Sequence, residues 1–238
     1  MINRAKKLGR YVAGGALGLP RLDGVKVEGD QLAAFEAAAD RLLAADGGLV
    51  ADLPSPKTDF LRWLADNRPV AFHGSSNPAL DELSPIRMSR DASAFGDQQA
   101  VFATPDPVWA TFFVVVIRDA ALRGMRNGSM GVPGNRIYPR WYYLALHRTD
   151  ETAGLERFRP GTLYILPREG FQPEFPRRGI GGSAQMVSRA AVRPLARIPV
   201  EPGDIPFLHC TGAMEPGENQ LRTIRQFGAA HRKTRRRS

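Results

Sequence analysis

The chain has 238 residues, 43% of them hydrophobic, which is enough to bury a core without covalent staples. Its single cysteine, Cys210, excludes an internal disulfide and a cysteine-rich zinc site, and a reducing cytoplasm is the compartment that composition implies. The net charge of +9 resides at the two ends, in Arg4, Lys6, Lys7 and Arg10 and in Arg232, Lys233, Arg235, Arg236 and Arg237, so that the remaining 24 cations balance the 24 acids of the body. A neutral body excludes a charged groove across the fold and leaves the termini as the candidate nucleic-acid contacts. Residues 11–19 have the outline of a short signal core, interrupted by Gly14, Gly15 and Gly18. No run approaches the roughly 20 apolar residues that a membrane span requires, and a soluble protein with no membrane partner is expected.

In chain order, Leu32, Phe35, Ala39, Leu42 and Leu43 recur at helical spacing, so a helix is expected over residues 30–46, capped by Asp30 and ended by Gly47-Gly48. A second helix over 58–67 carries Phe60, Leu61 and Leu64 on one side and stops ahead of Pro69. Residues 1–68 thus read as a helical preamble. Beyond Pro69 short β-branched and aromatic runs predict strands at 70–73, 100–103, 141–147, 162–166, 185–188 and 192–200. Asp106-Pro107 is a helix start, and the apolar residues that follow predict a buried helix. Residues 123–134 and 173–182, rich in Gly, Pro, Asn and Arg, read as loops. Few helices among many strands without βαβ alternation give an α+β fold with a mainly antiparallel sheet over 69–228, followed by a basic disordered tail over 229–238.

His73 closes an apolar strand and is followed by Gly74, which lets a ligand approach the backbone, and by the hydroxyls of Ser75 and Ser76. A histidine so placed can also cap the strand by bonding nearby backbone. About 25 residues later Val101-Phe102-Ala103-Thr104 leads into the helix with Trp109 and Phe112, and farther on stands Gly161-Thr162-Leu163-Tyr164-Ile165-Leu166-Pro167.

This order resembles the His-Tyr-Glu branch of the ADP-ribosyltransferase superfamily, which includes diphtheria-toxin-like and poly(ADP-ribose)-polymerase-like catalytic domains. It is also similar to uncharacterised bacterial proteins with a His-Gly-Ser strand, a Tyr-Ala-Thr strand and a Gly-Thr-x-Tyr-Ile-Leu-Pro strand. The resemblance covers about residues 69–208 and implies a split sheet and an NAD-dependent mono-ADP-ribosyltransferase acting on a protein or nucleic-acid acceptor, with NAD as substrate. It implies that His73 bonds a ribose hydroxyl, that the Gly74 backbone pairs with the nicotinamide carboxamide, and that Phe102 and Phe112 stand where aromatic rings stack on nicotinamide, with Ser75 and Thr104 lining the same pocket.

Two positions depart from the family pattern. Phe102 replaces the tyrosine and keeps the stacking face without the hydroxyl. Gln185 occupies the place of the glutamate that opens a late strand; it keeps a hydrogen bond but brings no charge to an oxocarbenium-like transition state. Glu169 and Glu174, on the preceding loop, are substitutes for that carboxylate if they swing in, and otherwise solvated acids. Arg87 and Arg90 lie between the two motif strands, where Arg87 could meet a pyrophosphate. His147, His209 and Cys210 lack a third orienting group at recognisable spacing, so a structural role is expected for them. No phosphate loop, dinucleotide-binding glycine pattern or paired-histidine metal motif is present. Three other functions stay open. One is an RNA 2'-phosphotransferase, which the neutral body disfavours. Another is a catalytically silent module that binds NAD or ADP-ribose. The third is a nucleic-acid-associated structural protein acting through its tails.

Overall fold

The computed structural model describes residues 14–85, 98–131, 136–150, 154–174, 185–215 and 217–235. After the short strand β1 (Arg21–Leu22) come the helices α1 (Gly29–Leu43) and α2 (Lys57–Asn67). Asp30 lies inside the first turn of α1, and the cap position falls to Glu28, whose side chain makes no capping bond. The buried stripe is Phe35, Ala38, Ala39 and Leu42, while Leu32 stays on the exposed side. α2 stops at Asn67 because Arg68 is held extended ahead of Pro69. Phe35 meets Phe60 and Trp63 edge-on at 5.4 and 5.5 Å. Both helices join one hydrophobic core with Phe72, Phe112, Leu163 and Ile198, so residues on either side of position 68 are buried together.

The remaining elements are β2 (Val70–Ser75), β3 (Val101–Ala103), α3 (Pro107–Val115), β4 (Leu122–Gly131), β5 (Arg140–Arg148), β6 (Gly161–Pro167), β7 (Gln172–Pro173), β8 (Met186–Ser188), β9 (Ala196–Val200), β10 (Gly212–Ala213) and α4 (Gln220–Arg235). The architecture is α+β with mainly antiparallel sheets. β2, β6 and β9 form one sheet in the order β2-β6-β9, and a second has the order β3-β8-β7. The third is built on β5, which pairs with β4 along one edge and with β1 and β10 along the other. Among the described strands β10 alone runs parallel to its neighbour, and an isolated bridge between Leu49 and Arg197 is also parallel.

α3 lies between two sheets, which is why it is apolar all round. Asp106 caps it, accepting from the Val108 and Trp109 amides, and Pro107 occupies the first turn. Ala110 and Val114 press against β2 at Gly74, while the Trp109 indole donates to Asn127 of β4 at 2.8 Å.

The structure corrects three expectations. Residues 123–131, expected as a loop, belong to β4, which runs from Leu122 opposite Arg148, through a register shift between Leu122 and Gly124, to Gly131 opposite Arg140. Pairing along β5 overrides their weak strand propensity, and their polar members are used, Asn127 by Trp109 and Ser129 by a buried network. Residues 229–235 continue α4 instead of forming a disordered tail, because Phe227 and Gly228 anchor that helix in the fold. The last predicted strand is interrupted: Val192 pairs with Leu83 through two backbone bonds of 2.8 and 2.9 Å, and β9 begins only at Ala196, past Pro194.

Candidate functional site

β2 and β3 run antiparallel but, among the described residues, meet through a single bridge: Phe72 and Thr104 exchange backbone bonds of 2.8 and 3.0 Å. One residue farther along, the strands part and a side chain takes over, with His73 Nδ1 lying 2.7 Å from the Phe102 carbonyl oxygen. A carbonyl only accepts, so Nδ1 carries the proton, and in the neutral ring Nε2 is the acceptor nitrogen. The ring also packs obliquely on Tyr164, at 6.4 Å between centroids.

Strand geometry fixes what Gly74 does. Backbone groups of alternate residues point to the same edge, so the N–H and C=O of Gly74 point where those of Phe72 do, toward β3 and into the gap. An added Cβ at this residue would lie 2.6 Å from the Ala110 carbonyl oxygen and 3.0 Å from Val114 Cβ. Glycine is therefore required here by the close approach of α3, and this approach seats the helix against the split.

Register brings Gln185 to the same place. Ala103 pairs with Met186, so Gln185 stands opposite Thr104, next to the bridge. Its carbonyl accepts from the Glu174 amide at 3.1 Å, which sets Glu174 directly beside it on the neighbouring strand. Val101, Ala103 and Met186 fill a second core with Ala71, Tyr164 and Leu166, so Phe102, Gln185 and Glu174 belong to the opposite face of that sheet. All three are half-buried, as are His73 and Gly74. His73, Gly74, Phe102 and Gln185 all stand along the split, but the His73 ring lies on the Tyr164 face of β2, the side of that second core, whereas Phe102 and Gln185 take the other face.

Other sequence-predicted residues have different places. Phe112 is 1% exposed within the main core, and the half-buried ring on the same helix is its neighbour Phe113, packed edge-on against Trp109 at 5.1 Å. Helical rotation by one residue turns Phe112 inward and leaves Phe113 half-buried, with Arg118 over its ring. Thr104 is also buried, its hydroxyl accepting from the Asp106 amide at 3.1 Å to shape the turn into α3. Ser75 accepts from the Asn77 amide at 3.1 Å at the end of β2. Arg87 and Arg90 lie outside the described residues. Glu169 is exposed in the turn after β6, at the opposite end of β2, where Arg168 N–H bonds Pro69. His147 ends β5 opposite Gly124, on the sheet that does not carry the split. Cys210 is buried with its thiol pushed up by desolvation, facing Thr234 at 4.0 Å, while His209 is exposed.

Sequence reading missed a buried polar network under the N-terminus of α3. Asp106 and Arg140 are both 0% exposed and approach to 3.2 Å. The same carboxylate accepts from the hydroxyls of Tyr138 (2.9 Å), Tyr142 (3.1 Å) and Ser129. Burial first, and the Asp106 charge second, push both tyrosines well above their ordinary pKa, so they remain donors. The signal available in the sequence was Arg140 at the head of an otherwise apolar strand.

Among the described residues no group of three or more His, Cys, Asp or Glu is disposed to hold a metal, and no helix is long and apolar enough to cross a membrane. No protein-family model, no curated protein and no solved structure matches the chain.

Proposed function

We propose that the split between β2 and β3 binds NAD and that the chain is an NAD-dependent mono-ADP-ribosyltransferase. The observation that carries this reading is the exchange, at one point of the sheet, of backbone pairing for the His73–Phe102 bond, with the Gly74 backbone directed into the opening. An amide-bearing ring fits such an edge, because the N–H and C=O of one residue are complementary to a carboxamide. Phe102 and Phe113 offer ring faces. His73 Nε2 accepts from a ribose hydroxyl.

Transfer requires negative charge near the anomeric carbon as nicotinamide departs with the bonding electron pair. Gln185 bonds a hydroxyl but supplies no charge. Glu174, hydrogen-bonded through its amide to Gln185, supplies the carboxylate and takes the proton of the acceptor group as that group bonds the anomeric carbon in place of nicotinamide. The alternative, a silent NAD-binding module, is favoured by one observation, the amide at position 185.

Calorimetric titration with NAD and incubation with labelled NAD and a lysate test both. Wild type is expected to bind and to transfer label, His73→Ala to lose both, and Glu174→Gln to bind NAD while losing transfer. Binding with no label in wild type supports the silent module, and gain of transfer in Gln185→Glu would then identify the missing charge as the cause. No binding of NAD by wild type overturns both readings.

A further inference from the structure

α4 uses only one side of itself for folding. Thr223, Phe227 and Gly228 are buried and Ile224 and His231 half-buried, whereas Arg222, Arg225, Arg232 and Lys233 are exposed and, at spacings of three, seven and one, fall on one face of the helix. From Arg222 to Arg235 this face extends about 20 Å. Arg222 is paired with Glu218 at 3.4 Å, and no acid follows Glu218 in the sequence. Arg225, Arg232 and Lys233 make no ion pair among the described residues.

The other basic end of the chain enters the described structure beside this helix. His231 Nδ1 donates to the Gly18 carbonyl at 3.1 Å, Arg232 donates to the Leu17 carbonyl, and a Cβ on Gly228 would collide with that same Leu17 oxygen. Residue 228 must therefore be glycine for the segment to lie there, and Arg4, Lys6, Lys7 and Arg10 precede that segment in the sequence. Leu17 and Arg232, 215 residues apart in the chain, thus meet at α4.

We propose that the exposed face of α4 is a nucleic-acid binding surface that takes the phosphate backbone of a duplex without reading its sequence. An anionic membrane is the poorer partner, because Phe227 on the apolar side of α4 is already consumed by packing and Leu221 is the one large apolar side chain that the described helix leaves exposed to enter the headgroup layer. Arginine predominates over lysine on the face, and a planar guanidinium meets phosphate oxygens two at a time. The surface does not depend on the NAD reading.

The test is fluorescence anisotropy of the full chain with labelled 20-base-pair DNA and RNA duplexes between 50 and 200 mM salt, with no NAD present. Wild type is expected to bind with an affinity that falls steeply with salt. R225Q/K233Q, which leaves the Arg232 bond to Leu17 intact, is expected to bind about tenfold more weakly at 100 mM salt and to lower the salt slope by about 2, one for each cation removed from the phosphate backbone. An unchanged melting curve shows the variant folded. Equal affinity of wild type and variant overturns the proposal. So does capture of wild type by phosphatidylserine vesicles with no affinity for either duplex.

Discussion

Asp106 and His73 are polar side chains within a few residues of the same bridge between β2 and β3, and their surroundings differ in kind. Asp106 is wholly buried and surrounded by donors from the chain itself, namely two amides, two phenols, a serine and Arg140. His73 is half-exposed, bonds the Phe102 carbonyl and borders an edge where strand pairing has stopped. The first arrangement spends its polarity on fixing where α3 begins. The second keeps polarity at a place a ligand can reach. A polar cluster with every member satisfied from within is a device of folding; on the proposed function, the half-buried one at the broken sheet edge serves recognition.

Substitutions sharpen that contrast. Asp106→Ala removes the carboxylate paired with the buried Arg140 and is expected to cost about 3–5 kcal/mol of unfolding free energy, read from urea denaturation. A loss below 1 kcal/mol would mean that the network is not what holds α3. Gly74→Ala forces the new methyl onto the Ala110 carbonyl and displaces α3 from β2, an overpacking worth about 1–3 kcal/mol. On the proposed function it also weakens NAD binding, and a stable Gly74→Ala protein with undiminished NAD affinity would count against the role assigned to that edge. His73→Ala removes one hydrogen bond at a half-exposed position, for about 0.5–1.5 kcal/mol, so its stability should stay near wild type while NAD binding disappears. If instead its stability falls as far as that of Asp106→Ala, the two regions are alike and the contrast fails.

The smallest effect concerns pH. Half-buried Asp66 accepts from the Ile137 amide at 2.6 Å, and desolvation nevertheless raises its pKa above 3.8. The folded state thus holds this proton more tightly than the unfolded one. The stability it contributes is complete below pH 3.8 and is lost as pH rises through the raised folded value. Asp66→Asn, which keeps the acceptor oxygen, should flatten that stretch of the urea-midpoint profile and be at least as stable as wild type at pH 7. A profile as steep in the variant as in wild type would exclude Asp66 as the source.

Much of this molecule was legible in its sequence because the signals are local. Phe35, Ala39 and Leu42 at helical spacing, Asp106-Pro107 as a helix start, and Pro69 as a stop each act over a few residues, and the elements they predict are present. The His73-Gly74 corner could be singled out for the same reason, as could Gln185 at the head of its strand.

Tertiary structure alone decided the rest. β4 is a strand only because β5 offers it a partner, and residues 229–235 are helical because Phe227 and Gly228, just before them, are anchored in the fold. Whether Phe112 or Phe113 faces outward depends on how α3 is rotated between two sheets, which one residue of phase can reverse. Asp106 and Arg140 are 34 residues apart in sequence and could be paired only once the fold had brought them together. The sequence by itself determined which residues are apolar, which turn the chain and which bear charge; which polar groups are used up inside and which are left at an edge was settled by the packing, since only there do distant donors and acceptors meet.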